Sequence, residues 1–188
     1  MNVLVQRAAE RNAQPWRNGG GVTFEVARAA DPQHADRFLW RVSIAHVDRD
    51  GPFSSFSGYE RLIGVIEGQG MELLGPGGAP TLLRPFEVVA FSGDAVMAGR
   101  LTSGPVRDLN VIFDPARCGA SLRFLQARGE QPVHEAIVVN LARAPARWRF
   151  GPEQGELGLH DAVHVADMHA TALSVQSERA ALVVIETA

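Results

Sequence analysis

The segment Pro15-Trp16-Arg17-Asn18-Gly19-Gly20-Gly21-Val22-Thr23 sets three consecutive glycines ahead of an alternating run. Glycines let backbone N–H groups approach an anion, as in a phosphate loop. Such a loop also needs Gly-Lys-Ser/Thr and a helix opening behind the turn, and here a strand-like alternation follows instead. The segment is therefore either a tight β-bend or the wall of a site. Trp16 and Asn18 flank it on one side, and Thr23 and Glu25, which share a strand face, on the other.

A second polar set sits within apolar runs: Arg41 and Ser43, Arg61, and Asp108 with Asn110. Along Trp40-Arg41-Val42-Ser43-Ile44, one face carries Arg41 and Ser43 and the other Trp40, Val42 and Ile44. Asp108, Asn110 and Ile112 likewise share a face, the mixture expected of a barrel interior with a ligand cavity. Arginine in such a setting is suited to bidentate capture of a carboxylate. A structural ion pair, Arg41 with Asp108 or Arg61 with Glu25, is the equal alternative.

Other chemistries find less support. His160 and His164 stand four apart and His169 follows, but two or three isolated imidazoles without a His-x-His pair do not make a metal site. His34 and His46 are similarly isolated. No Gly-x-Ser-x-Gly elbow is present, and Cys118 beside Arg117 reads as a packed thiol. The expectation is a metal-free protein without a cofactor.

The elements that must position these groups are strands. All 18 basic residues are arginine, which removes Schiff-base and P-loop lysines. The net charge is −3, and dividing the chain after Pro115 leaves 11 Arg against 13 acids and 7 against 8. No basic stripe speaks for nucleic acid or an anionic membrane. No run approaches the ~20 apolar residues of a membrane span, and the single cysteine fits a cytoplasmic protein.

Short period-two stretches between Gly and Pro predict about fifteen strands, among them 22–28, 40–47, 61–67, 86–91, 96–101 and 107–114. A second set is read at 120–127, 136–141, 147–150, 159–166, 170–176 and 181–187. Closure into barrels removes exposed strand edges. The expected architecture is thus two β-barrels or sandwiches, over residues 1–115 and 116–188, with N-terminal strands available to complete the smaller one. Gly75-Pro76-Gly77-Gly78 marks a hairpin turn. The long connection Asp48–Gly58, carrying Phe53 and Phe56, is expected to fold back over something.

Four blocks in order carry a family resemblance: Pro15–Glu25, Trp40–Ala45, Asp50–Phe56 through Arg61, and Gly104–Val111. Together they resemble the HutD/Ves family. The resemblance implies an all-β bicupin fold of two cupin-like barrels, no metal, and an association with bacterial histidine utilisation in the HutD branch and with stress response in the Ves branch. It further implies a pocket for a small acidic metabolite such as formylglutamate or urocanate. Phe24 stands where the family often has a basic residue, which would change the pocket rim. Ser57 replaces a frequent proline, which would loosen its loop.

The expected ligand-binding residues are Trp16, Asn18, Thr23, Glu25, Arg41, Ser43, Phe56, Arg61, Asp108 and Asn110. Arg41 and Arg61 would hold a carboxylate, Asn18, Ser43 and Asn110 would supply polar contacts, and Trp16 or Phe56 would pack on the ligand. Two other readings stay open. One is a metal-independent enzyme acting on a histidine-degradation intermediate, with Glu25 or Asp108 as general base. The other is a structural bicupin whose second barrel serves to form a homodimer.

Overall fold

Alternating apolar and polar residues, punctuated by glycine and proline, become strands along the chain. In the computed structural model, which describes residues 1–187, they run β1 (Asn2–Gln6), β2 (Ala13–Pro15), β3 (Gly21–Ala30), β4 (Phe38–Val47), β5 (Gly51–Pro52), β6 (Glu60–Glu67), β7 (Met71–Leu74) and β8 (Thr81–Leu83). Then follow β9 (Val88–Ser92), β10 (Ala98–Leu101), β11 (Val106–Phe113), β12 (Cys118–Asn140), β13 (Ala146–Phe150), β14 (Glu153–Leu157) and β15 (Ala162–Thr187). One 3-10 turn, Ala8–Glu10, joins them. Among the described residues no helix is long and apolar enough to cross a membrane.

The chain forms two compact units, one of Asn12–Cys118 and one of Met1–Arg11 with Gly119–Ala188. In the first, a six-stranded sheet of order β2-β3-β4-β11-β6-β9 accompanies a four-stranded sheet of order β5-β10-β7-β8. Their core joins Ala45, Val47, Ile63, Val65 and Val106 of the larger sheet to Met71, Leu73 and Leu83 of the smaller. The Gly75–Gly78 turn lies between β7 and β8, which pair as a hairpin.

Register decides which side chains share this interior, because residues directly opposite one another project to the same face. Asp108 lies opposite Ala45 and Val65, Asn110 opposite Ser43 and Ile63, and Ile112 opposite Arg41 and Arg61. A polar row is thus laid across the middle of an apolar sheet. The reverse face is buried as well, with Trp40, Val42, Ile44, Leu109 and Val111 at 2% exposure or less.

Tyr59 ties the start of β4 to the loop before β6. Its hydroxyl donates to the Phe38 carbonyl at 2.9 Å and accepts from the Phe38 N–H at 3.3 Å. Tyr59→Phe is expected to lower unfolding free energy by about 1 kcal/mol in a denaturant titration, since it removes a partner from both Phe38 backbone groups at a half-buried site.

In the second unit β15 pairs with β1 and β13, β13 with β14, and β12 with β15. Alternate residues of these strands, including Val138, Trp148, Phe150, Leu157, Val165, Leu173 and Leu182, fill its core. Residues 120–127 and 136–140 prove to belong to one strand, β12, which carries a φ of +69° at Ala127 and ends one residue before Leu141. Likewise 162–166, 170–176 and 181–187 are one strand, β15. Glu130 and Glu178, which fall in the gaps between those ranges, are exposed positions within the continuous strands. Leu159 and His160 precede β15, and His160 has a φ of +61°. Phe86, with a φ of +65°, falls in the turn before β9.

Candidate functional site

The triple-glycine segment is the tip of the β2–β3 hairpin. Trp16 N–H donates to the Gly21 carbonyl and Gly19 N–H to the Trp16 carbonyl, both at 2.9 Å. Asn18 Oδ1 accepts from the Gly20 N–H at 2.9 Å, a side-chain-stabilised turn. The indole N–H of Trp16 then donates to Thr23 Oγ1 at 2.8 Å, fixing the ring beside the strand. Gly21 is required by space: a Cβ there would fall 2.3 Å from the His46 carbonyl oxygen.

Opposite the hairpin, the Asp48–Gly58 connection crosses the guanidinium of Arg61. Phe53, Phe56 and Phe91 place their rings 5.4, 5.4 and 4.9 Å from its carbon. The loop is fastened by Phe53 N–H to the Met97 carbonyl and Phe56 N–H to the Gly93 carbonyl. Ser57, expected to loosen it, instead donates from Oγ to Asp94 Oδ1 at 2.6 Å.

Between hairpin, loop and polar row lies a cavity of about 490 Å³, within the usual range for small-molecule sites. Trp16, Asn18, Thr23 and Arg41 border it, as do Ser43, Phe56, Arg61 and Asn110. Glu25 and Asp108 do not border it. Phe24, opposite Ile44 on the other strand face from Thr23, does not reach it either, so the expected change to the rim does not arise there. Among the described residues, three arginines (Arg17, Arg41 and Arg61) and no carboxylate line this cavity.

The arginines differ in how they are neutralised. Arg41 has its Nε 3.0 Å from Glu25 Oε2 and donates from Nη2 to Gln14 Oε1 at 3.2 Å. Arg61 is only 4% exposed, donating from Nη1 to the Ser54 carbonyl at 3.2 Å and from Nη2 to Asn110 Oδ1 at 2.7 Å. Its Nε has no hydrogen-bond partner. Burial pulls its pKa down to about 10, with Asp108 opposing that fall. The ion pairing read from the sequence is thus exchanged: Arg41 is partnered by Glu25, and Arg61 interacts with Asp108 through Asn110.

Asp108 has no exposed surface. Its Oδ1 accepts from Asn110 Nδ2, and its Oδ2 has no hydrogen-bond partner. Burial raises its pKa to about 7, with Arg61 and then Asn110 pulling the other way. The folded state therefore holds the proton more tightly than the unfolded chain, whose Asp titrates near ~3.9. This contribution is present in full below that value and is lost as pH rises to about 7. Relative to Asp108→Asn, the wild type is expected to lose about 3 kcal/mol of stability between pH 4.5 and 7.5, read from paired denaturant titrations at those two values.

Gln14, Arg17, Phe53, Ser54 and Ile112 are among the further lining residues that were not singled out as ligand contacts. Period-two spacing from Asn110 carries the signal for Ile112. Phe91 reaches Arg61 through the β6–β9 register, where the two are directly opposite. His164 has its Nε2 2.8 Å from Glu135 Oε1, and His34 and His46 face Asp31 and Asp48. Among the described residues, no three His, Cys, Asp or Glu side chains are grouped to hold a metal ion. Cys118 is buried, with Sγ donating to the Leu39 carbonyl at 3.4 Å.

The structure of HutD from Pseudomonas fluorescens SBW25, in a formate condition, superposes with a TM-score of 0.87 at 35% identity, all of both chains being covered. A conserved protein of unknown function from Pseudomonas aeruginosa gives 0.89 at 29%, again over both full chains. In sequence, 122 residues (65% of the chain) are 41% identical to an uncharacterized 21.2 kDa protein in the hutC 3′ region of Pseudomonas putida, spanning 64% of that protein. Protein Ves of Citrobacter koseri matches at 37% over 57% of the chain and 56% of its own length. The chain thus aligns with less than two thirds of either relative. Escherichia coli YlbA, at 6% identity and a TM-score of 0.75, shares the cupin fold alone. The HutD family model matches residues 8–183, and the chain belongs to the HutD family, an all-β bicupin.

Proposed function

We propose that the Asn12–Cys118 unit binds a small carboxylate metabolite of the formylglutamate or urocanate class, without a metal, and that binding modulates histidine utilisation in the cytoplasm. The observation that carries this reading is a cavity lined by three arginines and no carboxylate, in which Arg61 is buried against neutral partners. A buried guanidinium without a contacting anion is costly, and a ligand carboxylate offsets that cost through charge-assisted bonds. Trp16 and Phe56 supply flat apolar walls, and Asn18 and Ser43 supply polar contacts beside them. The association with histidine utilisation draws on the hutC-region relative and on family membership.

Glu25 is already paired with Arg41 and Asp108 stands behind the cavity wall, so neither faces the space as a free base. Isothermal titration with formylglutamate, urocanate and formate tests the proposal. Saturable one-to-one binding of at least one carboxylate is expected, and heat of dilution alone for all three would end this reading.

A further inference from the structure

The hydrogen-bond relay behind Arg61 is longer than capture of an anion requires. Arg61 Nη2 donates to Asn110 Oδ1, Asn110 Nδ2 donates to Asp108 Oδ1, and Asp108 Oδ2 is buried without a partner. The arginine at the cavity is thereby tied to a carboxylate that solvent does not reach.

We propose that Asp108 couples anion binding at Arg61 to uptake of a proton from solvent, so that the cavity takes its carboxylate ligand together with H⁺. The inference rests on the ligand-binding reading above and deepens it. Without ligand, the negative Asp108 is the nearest charge able to balance Arg61. A ligand carboxylate on Arg61 takes over that role and adds a like charge behind which Asp108 must sit. Both changes favour the neutral form. The proton ends on a carboxyl oxygen of Asp108; no other bond forms or breaks.

The surroundings leave Asp108 as the group positioned for this. Directly opposite it stand Ala45 of β4 and Val65 of β6, which carry no charge. The four-stranded sheet presents Met71, Leu73 and Leu83 to the same core. The other ionisable groups on the cavity side are Arg61, exposed Arg17 at the hairpin tip, and Arg41 with Glu25, which neutralise one another at 3.0 Å. Arg107, next along β11, pairs with Glu67 at 3.3 Å and belongs to the opposite face. Burial already places Asp108 where a modest change of charge moves its proton near neutral pH.

Asp108 acts here as a positioning residue, through Asn110 and Arg61, and its signature is a pH profile. The probe is formylglutamate, whose carboxylates remain ionised above pH 6. Titrations run from pH 6 to 8.5 in two buffers of different ionisation enthalpy. Binding is expected to weaken on the order of tenfold across this range, with a fraction of a proton taken up per ligand near pH 7.5. In Asp108→Asn both the pH slope and the proton uptake are expected to vanish. A wild-type Kd independent of pH with no proton uptake, or uptake that persists in Asp108→Asn, overturns the coupling and leaves ligand binding standing. No binding at any pH overturns both. If Asp108→Asn does not fold, the wild-type proton count decides alone.

Discussion

Replacing Arg61 with methionine is expected to raise the Kd for formylglutamate by about 100-fold or more while leaving the protein folded. Truncating one member of a buried, hydrogen-bonded charge pair costs ~2–5 kcal/mol of binding, and no other cavity arginine is both buried and unpaired by a carboxylate. Arg17 is exposed, and Arg41 is held by Glu25 and Gln14. Methionine keeps an unbranched stem among Phe53, Phe56 and Phe91, so the rings still have something to pack on. Replacing a buried ion with an apolar side chain of similar length is often neutral or stabilising. Asp108, deprived of its cation, becomes more completely protonated. Calorimetry and thermal melting together check the result, and a variant that binds within threefold of wild type contradicts the role given to Arg61.

Gly21→Ala is expected to cost about 3 kcal/mol or more of stability, close to the limit a single alanine can impose. The added methyl meets the His46 carbonyl oxygen at 2.3 Å and the Trp16 ring at 3.3 Å. The His46 oxygen is backbone in the middle of a sheet and cannot rotate away. β3 and β4 would have to part where Gly21 pairs with Val47 and where Asp48 N–H donates to the Gly20 carbonyl at 3.0 Å. The Trp16–Thr23 bond would be lost with them. Gly78→Ala serves as the control, since a Cβ there meets nothing within 4 Å. Denaturant midpoints for the two variants decide the matter: if they agree, the close approach at Gly21 carries no energetic weight.

The sequence revealed more of the first unit than of the second, for a physical reason. In β4 and β11 the polar residues interrupt apolar alternation, so Arg41 with Ser43, and Asp108 with Asn110, could each be assigned to one face of their own strand from spacing alone. Which arginine meets which acid depends on the order β3-β4-β11-β6, and strand order is set by long-range pairing with no local mark. That is why Glu25 and Asp108 exchanged partners relative to expectation, and why Phe91 was not connected with Arg61. In the second unit, β12 and β15 run through polar, exposed stretches without turning. A chain that bends within one strand presents the same residues as a chain that stops and restarts.

The loop over Arg61 is anchored at the edge of the same sheet that holds the arginine, where β9 pairs directly with β6. Ser55 Oγ and the Phe56 N–H both reach the Gly93 carbonyl, and Ser57 reaches Asp94, so its hold is on the turn between β9 and β10. Arg61 in turn depends on Asn110 of β11. Arg61 also donates to the Ser54 carbonyl within the loop, so floor and roof hold one another. If the cavity binds its carboxylate as proposed, weakening the Ser57–Asp94 clasp is expected to loosen Phe53, Ser54 and Phe56 against Arg61, so that affinity and residence time fall together.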